Sequence, residues 1–329
     1  MNVISEQKMK NLIRAKHKET GLNIQQLYNL FGAEQLIKKI AESKYKDYFV
    51  LKGGYLLATQ MGLENRMTKD IDSTIKDFPL NDEEVEKFID YIVSPEEKGK
   101  QYFSLKKRRD IRKDFLYPGY NLKFNFHNGN SKFEIDLDLT TGENLLEIDT
   151  NKETKLLFEE KSICMPSYPM EQVLCDKYYT MLAYETDGTR MKDYYDMLII
   201  PKLENINYQK THQMLKRTLE QRESNAKFYY GFETIKNIEN SDFQKEKWND
   251  WKKEKPYAKN IPFETVVDAM RNIYNHLKEA NNYFRENEPE KLMPYTPADK
   301  LMQQTLIEKF AVNEDENKHD LNDYIDLDI

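Results

Sequence analysis

Over residues 5–45 apolar positions recur every three or four residues, with Leu12, Ile13, Leu27, Leu30, Phe31, Leu36 and Ile40 set among lysines and glutamates. That spacing predicts amphipathic helices that cover something. At Tyr48, Phe49, Val50 and Leu51 the period gives way to a short continuous apolar run ending in Gly53 and Gly54, the pattern of a buried strand closed by a turn. Helix spacing resumes through Leu56, Leu57 and Met61. Strand periodicity returns at 70–75, at 121–126 and at 133–139. In the last of these, strict alternation puts Glu134, Asp136 and Asp138 on one face and Phe133, Ile135, Leu137 and Leu139 on the other.

Beyond about residue 155 the strand signals thin out. Pro169, with Glu171 behind it, opens a helix that runs to Tyr184. Asp187, Gly188 and Thr189 then break the chain, Thr189 is placed to cap the next helix, and Pro201 is expected to stop that helix at Ile200. Further helices are predicted over 207–222, 224–238 and 262–286. The stretch from Asn313 is acidic and poor in core-forming residues, so a mobile tail is expected over 313–329. The fold class is α+β: a mixed sheet flanked by helices over 1–155, followed by a mainly α-helical domain over 156–312.

Composition trims the functional classes. The 329 residues, 39% hydrophobic, suffice for a sizeable core. No apolar run approaches the roughly 18 residues of a membrane span, and the first ten residues lack the apolar core of a secretory signal, so a cytoplasmic protein without a membrane partner is expected. Two cysteines, Cys164 and Cys175, are too few for a disulfide framework or a structural zinc site, and both are expected as buried thiols. The five histidines show no pair at helical ligand spacing, which argues against a zinc hydrolase or a histidine triad. A net charge of −7 argues against a general nucleic-acid coat. A local basic patch could still serve a polyanion, and the densest one is Lys106, Lys107, Arg108 and Arg109 with Arg112 and Lys113: either a solvated face or a contact for an RNA backbone.

Candidate chemistry lies in the acids and the glycines. Asp70 and Asp72 stand two apart on a strand, so both side chains leave the same face and repel, a cost that a divalent cation removes. Magnesium, with manganese as a substitute, prefers oxygen ligands and takes substrate phosphates, so acids on neighbouring strands make a suitable platform. The third acid is Asp138 or Asp136. Gly53 and Gly54 supply a turn without side chains at a helix N-terminus, where a phosphate can approach the backbone. Lys177, on an otherwise apolar helix, either snorkels to solvent or neutralises a triphosphate. Asp193 and Asp196 form a helical pair that either serves chemistry or pairs with Arg190 or Lys192.

The ordered set LKGGYLL, R-x-T-x-D-I-D (Arg66 to Asp72), D-L-T-T-G-E (Asp138 to Glu143), P-x-E-Q-V-L-C-D-K (Pro169 to Lys177) and T-R-M-K-D-Y-Y-D (Thr189 to Asp196) resembles the AbiEii/AbiGii toxin family, nucleotidyltransferases with the polymerase-β-like fold. The resemblance implies catalytic roles for Asp70, Asp72, Asp138, Lys177 and Asp193. It implies metal binding by Asp70, Asp72 and Asp138, and nucleotide contacts from Gly53, Gly54, Lys177, Lys192 and Asp196. It further implies Mg2+, an NTP donor such as GTP, a hydroxyl acceptor such as tRNA, phage defence, and a cognate antitoxin partner. The wider superfamily often has Gly-Ser where this chain has Gly53, Gly54 and bulky Tyr55, so backbone contacts must replace a serine hydroxyl. Two other readings stand beside this one: a non-catalytic nucleotide- or metal-binding protein, and a nucleotidyltransferase acting on a small molecule.

Overall fold

The computed structural model describes residues 4–93, 101–111, 119–142, 147–221 and 231–291. The first two helices are α1 (Glu6–Thr20) and α2 (Ile24–Ala41). The Ser5 hydroxyl caps α1 by accepting from Lys8 N at 3.2 Å, and Asn23 Oδ1 caps α2 by accepting from Gln25 N at 2.8 Å. Gly21, at φ +69°, ends α1 in the left-handed region, and its N–H donates to His17 O. Helix α1 is amphipathic as expected, but α2 is not. Its final turns, Glu34, Gln35, Lys38 and Lys39 included, are buried on all sides, because α2 is covered both by the sheet and by the chain at Leu157 and Phe158.

Among the described residues seven strands follow: β1 (Phe49–Lys52), β2 (Asp70–Ile75), β3 (Gln101–Ile111), β4 (Gly119–Asn128), β5 (Ser131–Thr140), β6 (Asp149–Lys155) and β7 (Ser162–Ser167). They form one mixed sheet in the order β3-β4-β5-β2-β1-β7-β6. Strand β2 runs antiparallel to β1 and parallel to β5, while β1 and β7 are parallel. The sheet therefore continues past residue 155. Strand β6 (DTNKETK) is almost wholly polar and is held by its ladder to β7 rather than by an apolar face. Strand β3 is built from the basic run, which no alternation announced. Within β7, Ile163 and Met165 face inward, so Cys164 between them is exposed; only Cys175 is the buried thiol expected.

The apolar face of the sheet packs under α1, α2 and α4 (Asp82–Val93), where Leu27, Phe31, Ile89, Phe124, Phe126, Ile135 and Leu137 share one core. The second core belongs to the helical half: α5 (Met170–Tyr184), α6 (Met191–Leu203), α7 (Tyr208–Gln221), α8 (Gly231–Asn240), α9 (Asp242–Lys253) and α10 (Phe263–Asn287). Helix α3 (Gly53–Met61) belongs to both, since Tyr55 and Ala58 enter the first core while Leu56, Leu57 and Met61 enter the second. Two local expectations fail in α6. Its N-cap is Arg190, without a side-chain cap bond, so Thr189 does not cap. Pro201 lies inside the helix, which ends at Leu203: the bond that proline cannot donate falls in the last turn, and Glu204 N still reaches Ile200 O at 3.4 Å. The expected tail over 313–329 lies outside the described residues.

Candidate active site

The register of β2 against β5 builds the site. Asp70 stands opposite Asp136, and Asp72 opposite Asp138. Facing residues on neighbouring strands lie about 5 Å apart, so four carboxylates rise from one patch of one face. On the other side of β2, Asp72 faces Lys52, the last residue of β1. The glycine turn and the acids, separate in sequence, thus meet in space. Gly53 has φ +61°, and a Cβ there would come 2.1 Å from Asp72 Oδ2; one on Gly54 would come 2.5 Å from Thr68 Oγ1. The glycines are needed here because the acid side chains lie against the turn. The N–H of Gly54, at the start of α3, donates to Asp72 Oδ2 at 3.3 Å.

The four acids are not equivalent. Asp136 accepts from Asn121 Nδ2 at 2.6 Å and forms an ion pair with Lys123, which also reaches Glu134 at 3.5 Å. Asp138 accepts from the same Asn121 amide at 2.7 Å but has no cation beside it among the described residues. Burial, with the charges of Asp72, Asp136 and Asp70, raises its carboxyl above the usual range against the pull of the Asn121 bond. Asp70 goes the other way. Burial opposes its ionisation, but the Lys192 charge, the Thr68 hydroxyl bond at 2.9 Å and Arg66 outweigh it and hold Asp70 low.

The helical half contributes a second set of charges. Arg66 donates from Nε to Asp196 Oδ1 at 2.6 Å and from Nη2 to Oδ2 at 3.1 Å. Lys177 Nζ lies 2.7 Å from Asp193 Oδ1 and 3.4 Å from Asp196 Oδ2, and Arg190 Nε lies 2.8 Å from Asp193 Oδ2. Arg66, Lys177, Asp193 and Asp196 are all buried. Burial opposes the charges of Arg66, Lys177 and Asp196, yet Arg66 and Lys177 hold Asp196 low, and Asp196 and Asp193 hold Lys177 high. The network ties the segment before β2 to α6 and so fixes the helical half against the sheet. Lys177 and the two acids of α6 are therefore brought together with one another, while Lys192, half-buried on α6, is the lysine whose charge acts on Asp70.

Four residues of this arrangement carried no assigned role in the sequence: Arg66, Thr68, Asn121 and Lys123. Arg66 and Thr68 stood within R-x-T-x-D-I-D, a usable signal. Asn121 and Lys123 gave none, since only the β4–β5 register places them against Asp138 and Asp136.

The fit to a divalent cation follows from the donors. Asp70, Asp72 and Asp138 offer only oxygen, are half-buried, and repel one another, which suits magnesium. Among the described residues no group of three or more His, Cys, Asp or Glu side chains converges as a ready metal cage. Each acid is turned onto a neighbour, Asp70 onto Thr68, Asp72 onto Gly54 and Asp138 onto Asn121.

Strand order, glycine turn, paired acids and buried helical network together coincide with a match to the family described as nucleotidyl transferase AbiEii toxin, type IV toxin–antitoxin system, over residues 35–269. The chain belongs to the AbiEii nucleotidyl transferase toxin family. No curated protein matches it. Among solved structures it is similar to JHP933 from Helicobacter pylori, at 15% identity over 80% of this chain and 98% of that one, with a TM-score of 0.43. A second H. pylori structure, of a candidate nucleotidyltransferase, gives 15% identity over 78% of this chain and 98% of that one, with a TM-score of 0.42. The family assignment rests on the match over 35–269. As an AbiEii member the chain is a nucleotidyltransferase of a type IV toxin–antitoxin system, and among the described residues no helix is long and apolar enough to cross a membrane.

Proposed function

We propose that the chain is a magnesium-dependent toxin that transfers a nucleotide from an NTP, GTP among the candidates, to a hydroxyl on an RNA such as tRNA, in the cytoplasm, as part of phage defence and under the control of a cognate antitoxin. The observation that carries the reading is the register that sets Asp72 opposite Asp138 beside the Gly53 and Gly54 turn.

The acceptor hydroxyl attacks the α-phosphorus, the bond from that phosphorus to the bridging oxygen breaks, and pyrophosphate leaves. Asp70 and Asp72 hold the cation, which when bound neutralises phosphate charge. Asp138 completes the set and takes the hydroxyl proton. Lys192 faces the triphosphate, and the backbone at Gly53 and Gly54 lets a phosphate approach. Lys177, Asp193 and Asp196 hold α6, and Lys192 with it, in place.

The test is transfer of label from each NTP to total tRNA or to small hydroxyl compounds, with Asp138→Asn and Asp136→Asn measured in parallel. Transfer to tRNA by wild type, lost in Asp138→Asn and retained within about tenfold in Asp136→Asn, is the expected result. Transfer to small compounds alone would replace the acceptor. NTP binding without transfer to either would make the chain a binding protein.

A further inference from the structure

The carboxylate face of the sheet does not end at the acids. Its rows continue across β4 to the edge strand β3, because Arg109 pairs with Asn121 and Asn121 with Asp138, while Lys107 pairs with Lys123 and Lys123 with Asp136. A bulge between Leu105 and Lys107 makes Lys106 the extra residue, and its contact with Glu134 keeps it on the same face as Lys107. The cations of β3 then divide by direction. Arg108 turns to the opposite face, pairs with Asp82 and Glu86 of α4, and lies 4.8 Å over the Tyr120 ring. Lys107 and Arg109 stay on the carboxylate face, exposed, with no acidic partner among the described residues. Arg112 and Lys113 lie outside the described residues.

Farther along the same face Tyr102 stacks on His127, ring centroids 4.2 Å apart and planes 5° from parallel, with Tyr102 45% exposed. From Tyr102 to Arg109 the strand covers about 20 Å. Charges on an edge strand commonly serve to deter strand-to-strand aggregation. Here, however, the two cations share one face, lead to the catalytic acids, and are followed by an exposed aromatic platform. Cations that track a phosphate backbone combined with a ring on which a base stacks are the two components of a single-strand site.

We propose that Lys107, Arg109 and Tyr102 on β3 bind the acceptor as a single-stranded polynucleotide, the cations holding its phosphates and the Tyr102 ring carrying a base, so that a terminal hydroxyl is directed to Asp138. The assignment rests on the transferase reading above. It adds a docking surface to it and explains why the acceptor of a site crowded with carboxylates can be a polyanion.

The test is equilibrium binding of single-stranded RNA and DNA oligonucleotides, without NTP, across a salt series. For Lys107→Gln with Arg109→Gln the log–log salt slope is expected to fall by about 1.4, at about 0.7 for each phosphate no longer neutralised. For Tyr102→Ala affinity is expected to fall about tenfold with the slope unchanged. Arg108→Gln, on the opposite face, is expected to keep the wild-type slope, and melting curves check that each variant is folded. A double variant with the wild-type slope, or an equal fall in Arg108→Gln, overturns the proposal. Because no NTP is present the two readings separate: wild-type binding with the expected slopes but no label transfer removes the transferase reading and keeps the surface. Transfer to RNA with unchanged slopes does the reverse. The RNA and DNA arms show which polynucleotide is held.

Discussion

Two groups of aspartates in one fold face opposite electrostatic situations. On the sheet, Asp70, Asp72, Asp136 and Asp138 stand opposite one another, and Asp138 is raised by burial and by the other acids. In the helical half, Asp193 and Asp196 are more deeply buried, yet Arg66, Lys177 and Arg190 surround them and Asp196 is held low. In the function proposed above, the difference separates a site from its support. Like charges set opposite one another repel, so removing Asp72 or Asp138 relieves a repulsion that Lys192 and Lys123 offset at Asp70 and Asp136. A compensated buried network holds two parts of the fold together, so removing one member strands the rest.

The largest contrast is therefore between Asp72→Asn and Asp196→Ala. If the proposed metal site is right, the first is expected to lower transfer by about a thousandfold or more, because several kcal/mol of transition-state stabilisation would go with it. Its melting temperature without metal should match or exceed wild type, and Mg2+ is expected to raise the melting temperature of wild type but not of this variant. Asp196→Ala is expected to lose about 3–5 kcal/mol of stability by leaving buried Arg66 without its carboxylate and Lys177 with Asp193 alone. Denaturant melts with and without Mg2+ check both; a strongly destabilised Asp72→Asn, or a stable Asp196→Ala, would erase the distinction.

A smaller effect tests how tightly the glycine turn is joined to the acids. Gly53→Ala puts a methyl group at a positive φ and against Asp72, so a cost of about 1–3 kcal/mol is expected. Displacing Asp72 by about an ångström should also lower transfer about a hundredfold. If Gly53→Ala folds and turns over like wild type, the close approach of turn and acid has no consequence.

The smallest effect lies beneath the sheet, in a buried acid outside both groups. Glu34 Oε2 accepts from the N–H of Phe158 at 3.1 Å and from that of Leu157, with Lys38 and Glu159 nearby and Tyr55 facing it from α3. Burial pushes its carboxyl up to about 7 against those bonds. Below the ordinary glutamate pKa both folded and unfolded chains hold the proton. Between there and about 7 only the folded chain keeps it, so stability falls as pH rises and levels off above 7. Glu34→Gln keeps an acceptor oxygen but cannot ionise, and is expected to gain about 1–3 kcal/mol over wild type at pH 8 and little at pH 4. Parallel stability curves from pH 4 to 8 would show that Glu34 does not titrate in this range.

The sequence determined the elements whose pattern is local. Alternation in 133–139 set which face of β5 carries Asp136 and Asp138, because side chains on a strand have period two whatever lies next to them. The glycine turn, the D-I-D strand and most helices of the second half were legible for the same reason. The tertiary structure decided what pairing decides. Strand β6 has no apolar face of its own and exists through its hydrogen bonds to β7, and β3 forms from a basic run because β4 offers it an edge. Which candidate for the third acid has a lysine beside it, that Lys177 is held by Asp193 and Asp196 while Lys192 addresses Asp70, and that Arg108 turns away where Arg109 does not, all depend on register and on contacts across as many as 130 residues of chain. Electrostatic partnership depends on distance in space, which a residue pattern along the chain does not encode.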